Sequence, residues 1–271
     1  MEKITEKSFS EDLIVEHRPD LVEKYLRKFV TCADIEESDD WMIINKNHSK
    51  IIKCNDECVG AIIRNIAPKR VAEYFGWKMM LTVKAHPKLN RGKSHAYSGK
   101  LAAHGLHAKR LDPNHTMSYV YKKKNLDPHA QKIYDEDGNS FGKWLYQNAY
   151  RYLPWTMKSY EEFKEKVNLG DDELIGAVFC AENYEAAGHR DNDRSEWAVG
   201  FCFDSKPIEK GYFIYPEYGV AIEMTSNALW CWKTQDVHGT AELQLNGGTR
   251  YTAAITLTKK TARAIEIEFK E

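Results

Sequence analysis

Between residues 174 and 257 the chain is a succession of short β-forming runs, each stopped by a turn residue, and no other feature restricts the fold as much. Residues 174–180 (LIGAVFC) form one such run, and residues 197–203 (WAVGFCF) alternate large and small side chains. The two-residue period of a strand puts Trp197, Val199, Phe201 and Phe203 on one face. Ala198, Gly200 and Cys202 share the other face and are small enough to line a pocket. Residues 211–216 and 218–224 follow as short β-rich pieces broken at Pro216 and Gly219. Residues 228–232 (ALWCW) form another apolar strand, and Gly247-Gly248 turns the chain into residues 250–257. Short strands at close spacing with turn punctuation imply a jelly roll or double-stranded β-helix.

That barrel brings a particular set of side chains to one mouth. His189-Arg190-Asp191 ends one run, His238 follows the strand at 228–232, and Arg250 opens the last strand. A His-x-Asp pair with a distant His is the donor set of a 2-His-1-carboxylate iron site. Such a site occupies one face of Fe(II) and leaves the opposite positions open. We therefore expect His189, Asp191 and His238 to be the metal ligands and the catalytic centre. A fixed cation beyond the second His suits the distal carboxylate of 2-oxoglutarate, so Arg250 is the expected co-substrate residue, its planar fork making two hydrogen bonds. Asp193, two residues past Asp191, is expected to make a hydrogen bond or a loop salt bridge.

The first 168 residues read as a helical support and a basic substrate-binding segment, and residues 169–271 as the iron-binding core of a single domain. The fold class is α+β. Residues 10–30 carry Leu21, Val22, Tyr25, Leu26, Phe29 and Val30 at helical spacing. Residues 41–44 and 59–63 read as strands. Pro68 opens a second helix through Val71, Tyr74, Phe75 and Met79, at a position where its missing N–H costs nothing. Ser159-Tyr-Glu-Glu162 matches a capping box and marks the start of a third helix.

With 42% hydrophobic and 29% charged residues the composition is that of an ordinary globule. The opening residues, MEKITEKS, contain no apolar core of a secretory signal, and no apolar run reaches the ~18 residues of a membrane span. The six cysteines stand mostly singly in apolar runs, as buried thiols do in a reducing compartment. The expected location is therefore intracellular, in nucleus or cytoplasm, with no membrane and no obligate protein partner. Cys54 and Cys58 read as flanking a turn between strands, since no second pair follows to complete a zinc site.

The net charge of −1 hides a strong local excess. Eleven Lys and Arg lie between Lys78 and Asn125, opposed by the single acid Asp112. Five histidines (His86, His95, His104, His107 and His115) and Tyr97, Tyr119 and Tyr121 are interleaved with them. Basic groups among aromatics suit phosphate contact plus stacking on an exposed base. Nucleic acid, DNA ahead of RNA, is the partner this segment points to. Its expected contacts are Lys122, Lys123 and Lys124 for phosphates and Tyr97, His104 and His107 for a base.

On the residues Gly188-His-Arg-Asp-Asn-Asp193, the phrase YFIYPEYGV over residues 212–220, and His238 followed by Gly-Gly-Thr-Arg250, the chain resembles the 2-oxoglutarate and Fe(II)-dependent dioxygenases, most closely their TET/JBP branch. The resemblance covers residues 170–260 well and the preceding hundred loosely. It implies Fe(II) on His189, Asp191 and His238 and 2-oxoglutarate on Arg250. It also implies oxidation of the methyl group of a base such as 5-methylcytosine in nucleic acid. The cysteine-rich zinc module of the animal enzymes is missing. Two other classes stay open: a 2-oxoglutarate-dependent hydroxylase of a protein or small molecule, and a non-catalytic jelly-roll binding module.

Overall fold

One curled sheet runs through the molecule, and the chain covers both of its sides. The computed structural model describes residues 12–85, 97–108, 117–119, 128, 140–168 and 177–268. Within these the strands are β1 (Asp12–Val15), β2 (Met42–Ile44), β3 (Lys50–Cys54), β4 (Glu57–Arg64), β5 (Tyr97–Ala108), β6 (Met117–Tyr119) and β7 (Ala177–His189). They continue with β8 (Trp197–Asp204), β9 (Tyr212–Tyr215), β10 (Val220–Glu223), β11 (Ala228–Lys233), β12 (His238–Thr240) and β13 (Arg250–Thr256). The helices are α1 (Pro19–Tyr25), α2 (Cys32–Glu36), α3 (Lys69–Ala85), α4 (Ser140–Tyr152), α5 (Pro154–Lys166) and α6 (Lys259–Glu268). The strand order is β1-β3-β4-β11-β8-β13-β7-β12-β9-β10-β2, with β5 against β7 and β6 against β5.

Alternation along the strands sorts side chains into layers. Val199, Phe201, Leu229, Cys231, Ala253 and Ile255 point to the helical side, where Met79, Leu145, Met157 and Ile265 pack on them. Ala198, Cys202, Trp230 and Trp232 point inward, against Phe213, Tyr215 and Ile222 of the facing strands. A third cluster seals the far side, with Leu21, Tyr25, Ile35 and Trp41 on Tyr212, Ile214 and Ala221. Removing a side chain as enclosed as Phe201 should cost ~3–5 kcal/mol, as large-to-small core changes do.

The small inward face of β8 does not itself line the cavity. A Cβ at Gly200 would lie 2.4 Å from the Trp230 ring, so the indole already fills the space that small residues leave. Strand β7 changes partners along its length. Its first half pairs with β13, and His189 and Ala186 pair with β12. Strands that pass between sheets do so at bulges. Here Ser98 pairs with Glu185 and Lys100 with Glu182, so Asn183 and Tyr184 together oppose Gly99. Gly99 has φ +86°, and a Cβ there would sit 2.3 Å from the Asn183 carbonyl oxygen, so only glycine fits this bulge.

Several sequence expectations are corrected. Residues 10–30 are not one helix: β1 pairs in parallel with β3, and α1 starts at Pro19, which cannot sit inside a helix without breaking it. The cap at Ser159 is also wrong, because α5 begins at Pro154 and Ser159 lies inside it. On α3, Val71 and Tyr74 are exposed, and the buried stripe runs through Ala72, Met79 and Val83. The strands expected at 41–44 and 59–63 are present as β2 and β4, and the basic segment adds an unforeseen long strand, β5, which pairs with β7. Cys54 and Cys58 do flank a tight turn, with Asn55 and Asp56 in the left-handed region. No described helix is long and apolar enough to cross a membrane.

Candidate metal centre

His189 is the last residue of β7 and His238 the first of β12, and the two are register partners. Pairing across neighbouring strands therefore brings together residues 49 apart in sequence, with ring centroids 4.5 Å apart. Asp191 follows β7 in a pinned loop. Its N–H donates to the Thr234 carbonyl at 2.8 Å, and Gln235 Nε2 donates to its carbonyl at 2.9 Å. Gly188 lets the end of β7 approach α1, where a Cβ would stand 2.4 Å from the Tyr25 carbonyl oxygen.

Both imidazoles are held in the same tautomer. His189 Nδ1–H donates to the Ala187 carbonyl at 2.8 Å, and His238 Nδ1–H donates to the Asp236 carbonyl at 2.9 Å. Each ring then presents Nε2 as a lone pair, the arrangement in which backbone acceptors orient metal-binding histidines. His238 Nε2 lies 3.2 Å from Asp191 Oδ2, and His189 Nε2 lies 3.6 Å from Oδ1. One donor atom from each of the three residues falls within 4.8 Å of the other two. Burial pushes the Asp191 carboxyl up, but the two imidazoles beside it outweigh burial and hold the group well below the usual carboxylate range. An anionic oxygen and two neutral nitrogens suit a divalent ion, and they leave part of its coordination shell to other ligands.

The ring of His238 is packed by Phe213 (5.9 Å, stacked) and Trp232 (5.4 Å). Behind it, Asp236 accepts hydrogen bonds from the Tyr215 and Tyr218 hydroxyls, both at 2.8 Å. The triad opens on a cavity of about 250 Å³, whose walls include Phe213, Met224, Trp230, Thr252 and Ala254. Arg250 lines the same cavity, as does Tyr97, whose ring meets His189 edge-on at 5.4 Å.

Arg250 and Asp193 differ from expectation in their partners. The Arg250 fork is already engaged: Nε donates to Asp204 Oδ1 at 2.8 Å and Nη2 to Oδ2 at 3.0 Å. Asp193 makes no side-chain salt bridge or Oδ2 hydrogen bond among the described residues. Burial and the neighbouring Asp191 charge push its carboxyl up to about 7. His104 and His107 fall on β5, beyond the residues whose side chains are described, and Lys122, Lys123 and Lys124 lie outside the described residues. Sequence reasoning missed Tyr184, stacked on Tyr97 at 6.1 Å, and Asp204. The signal for Tyr184 is the neighbouring Asn183 with φ +48°, which shifts the inward alternation from Phe179 and Ala181 to an even-numbered residue.

Compared with solved structures, the chain is similar to NgTET1 in complex with 5mC DNA, with TM-score 0.54 over 90% of this chain and 92% of that one, at 14% identity. The barrel is a double-stranded β-helix. Lower similarity extends to an oxidoreductase of the 2OG-Fe(II) oxygenase family from Burkholderia pseudomallei (12% identity, 72% of this chain and 82% of that one, TM-score 0.41). A prolyl-4-hydroxylase from Pseudomonas putida overlaps at TM-score 0.40 (8% identity, 74% and 93%). No protein-family model and no curated protein sequence matches the chain.

Proposed function

We propose that this protein is an Fe(II)- and 2-oxoglutarate-dependent dioxygenase that oxidises the methyl group of a base in intracellular nucleic acid, DNA ahead of RNA. The observation carrying the reading is the His189–Asp191–His238 cluster, with both Nε2 lone pairs and a deprotonated carboxylate converging at the wall of an apolar cavity. Fe(II) bound there with 2-oxoglutarate and O₂ supplies oxidising chemistry strong enough for an unactivated C–H bond. The residues of the chain orient and exclude water: Phe213, Trp230 and Trp232 keep the cavity dry, and Arg250 meets the distal carboxylate at its other end.

Three observations support a base as substrate. The fold is that of NgTET1, a protein solved with 5mC DNA. Tyr97 and Tyr184 place an aromatic pair beside His189, where a flat ring can pack. The sequence from Lys78 to Asn125 carries the cations a phosphate backbone requires. A base inside a duplex cannot reach such a cavity, so it must be flipped out or offered on a single strand.

Nucleoside mass spectrometry after incubation of methylated DNA or RNA with protein, Fe(II) and 2-oxoglutarate tests the reading. An oxidised methyl group is the expected product. Consumption of 2-oxoglutarate without any modified base would move the substrate to a protein or small molecule, and no metal-dependent consumption would leave a binding module. Neutralising Lys122, Lys123 and Lys124 together should flatten the salt dependence of binding, because phosphate contacts release counterions. Tyr97→Ala and His104→Ala should instead lower turnover and leave the salt slope unchanged.

A further inference from the structure

The guanidinium of Arg250 has five N–H donors, and the protein itself uses most of them. Nε–H and one Nη2–H go to the two oxygens of Asp204, at 2.8 and 3.0 Å. The second Nη2–H goes to the Met224 carbonyl at 2.7 Å. Nη1 has only a long contact, 3.4 Å, to the Gly211 carbonyl, so one N–H on Nη1 is without an acceptor among the described residues. Both charged side chains are almost fully enclosed, Arg250 at 3% exposure and Asp204 at 7%. Gly211 leaves room for this placement, since a Cβ there would stand 2.8 Å from Nη1. The pair also forms a partition: Arg250 lines both the barrel cavity and a second cleft, which Asp204 also lines and where Lys46, Lys69 and Lys206 face solvent.

We propose that Asp204 is a positioning residue for the co-substrate. It clamps one edge of Arg250 so that an incoming carboxylate is met through Nη1 alone, at a fixed depth, and this sets the length of 2-oxo dicarboxylate the cavity accepts. The inference rests on the dioxygenase reading and adds to it a residue that acts only through Arg250. Two physical facts carry it. A buried guanidinium with a free edge would turn to find acceptors, whereas one held by two carboxylate oxygens and a carbonyl cannot. The Arg250–Asp204 pair is neutral as a unit, so a ligand carboxylate is selected by the position of one N–H and not by surplus positive charge.

The test is calorimetric titration of 2-oxo dicarboxylates of four, five and six carbons into protein loaded with Zn(II), which is inert to turnover. Wild type should bind the five-carbon acid best. Asp204→Asn should weaken that binding about tenfold or more, as loss of a charge-assisted pair does, and should flatten the preference among the three lengths. Zn(II) affinity should not change. Asp204→Glu keeps the charge and pushes Arg250 one methylene further into the cavity, so its preference should move toward the four-carbon acid. If Asp204→Asn does not fold, Asp204→Glu carries the test alone. Adding Arg250→Lys to Asp204→Asn should weaken binding less than it does in wild type, since the two act as one unit. Unchanged affinity and unchanged length preference in the Asp204 variants would overturn the proposal and leave the dioxygenase reading intact. Wild-type protein that holds Zn(II) but binds none of the three acids would overturn the parent reading, and this one with it.

Discussion

The two ends of the cavity treat buried charge in opposite ways. At one end Asp191, 27% exposed, faces the two imidazoles and has no Lys or Arg partner among the described residues. At the other, Arg250 and Asp204 neutralise each other inside the protein. The first arrangement is incomplete without a positive ion, and its histidines are oriented by backbone carbonyls of the fold itself. The second is complete in itself and offers a ligand only what it has left over. A binding centre for a metal must keep its donors unsatisfied, whereas a cation buried beneath an organic acid must be compensated before the acid arrives.

Removing Asp191 is the most direct way to break this contrast. Asp191→Ala should abolish Fe(II) binding and turnover, and it should lower the melting temperature of the metal-free protein slightly, because the folded state favours this carboxylate over the unfolded chain. Anaerobic Fe(II) titration and calorimetry check the two halves. Arg250→Met does the reverse at the far end. It strands Asp204 as a buried anion and should cost ~3–5 kcal/mol of stability. Much of that loss should return in Arg250→Met combined with Asp204→Leu, and denaturant titration of the two variants would show it.

Gly99→Ala tests whether the bulge holds the two ends in register. Asn183 Oδ1 accepts the backbone N–H of Arg250 at 2.9 Å, while the next residue, Tyr184, stacks on Tyr97 beside His189. Forcing a side chain into the left-handed conformation at Gly99, against the Asn183 backbone, should cost ~1–3 kcal/mol. It should also weaken substrate and 2-oxoglutarate binding together. A change in only one of them would show that the bulge serves one end alone.

The smallest effect concerns Asp193. Its carboxyl is raised from the ordinary 3.8 to about 7 by burial and by the Asp191 charge, so the folded metal-free protein binds this proton more tightly than the unfolded chain does. The resulting stability is fully present below pH ~3.8 and is lost as the pH rises through about 7. Asp193→Asn should therefore reduce the fall in melting temperature between pH 5 and pH 8. Adding Zn(II) to wild type should reduce it as well, since the ion offsets the Asp191 charge.

Strands β8, β9, β10, β11 and β13 were legible because each alternates or is largely apolar over its length, and turn residues mark the ends, whereas the short β12, His-Gly-Thr, has no such pattern. The triad was legible because its residue types are those a metal needs. The failures have a common cause. Residues 12–15 look helical in isolation, but β1 gains a parallel partner in β3 that no local pattern announces. The Ser159 cap has a suitable sequence, yet Pro154 had already started the helix five residues earlier. Tyr184 turns inward only because Asn183 bulges opposite Gly99, which lies on another strand.

Sequence by itself determined the barrel strands, the faces of β8 and the donor types of the metal centre, because these depend on spacing within a few residues and on the chemistry of single side chains. Tertiary structure decided what each charged group has left to give. Arg250 reads as a free fork until Asp204, 46 residues away, is found on its edge. Asp193 reads as a surface partner until its Oδ2 is found buried with no hydrogen bond among the described residues. Compensation of a buried charge depends on which distant residue the fold places within about 3 Å, and that distance is fixed by strand register, not by order along the chain.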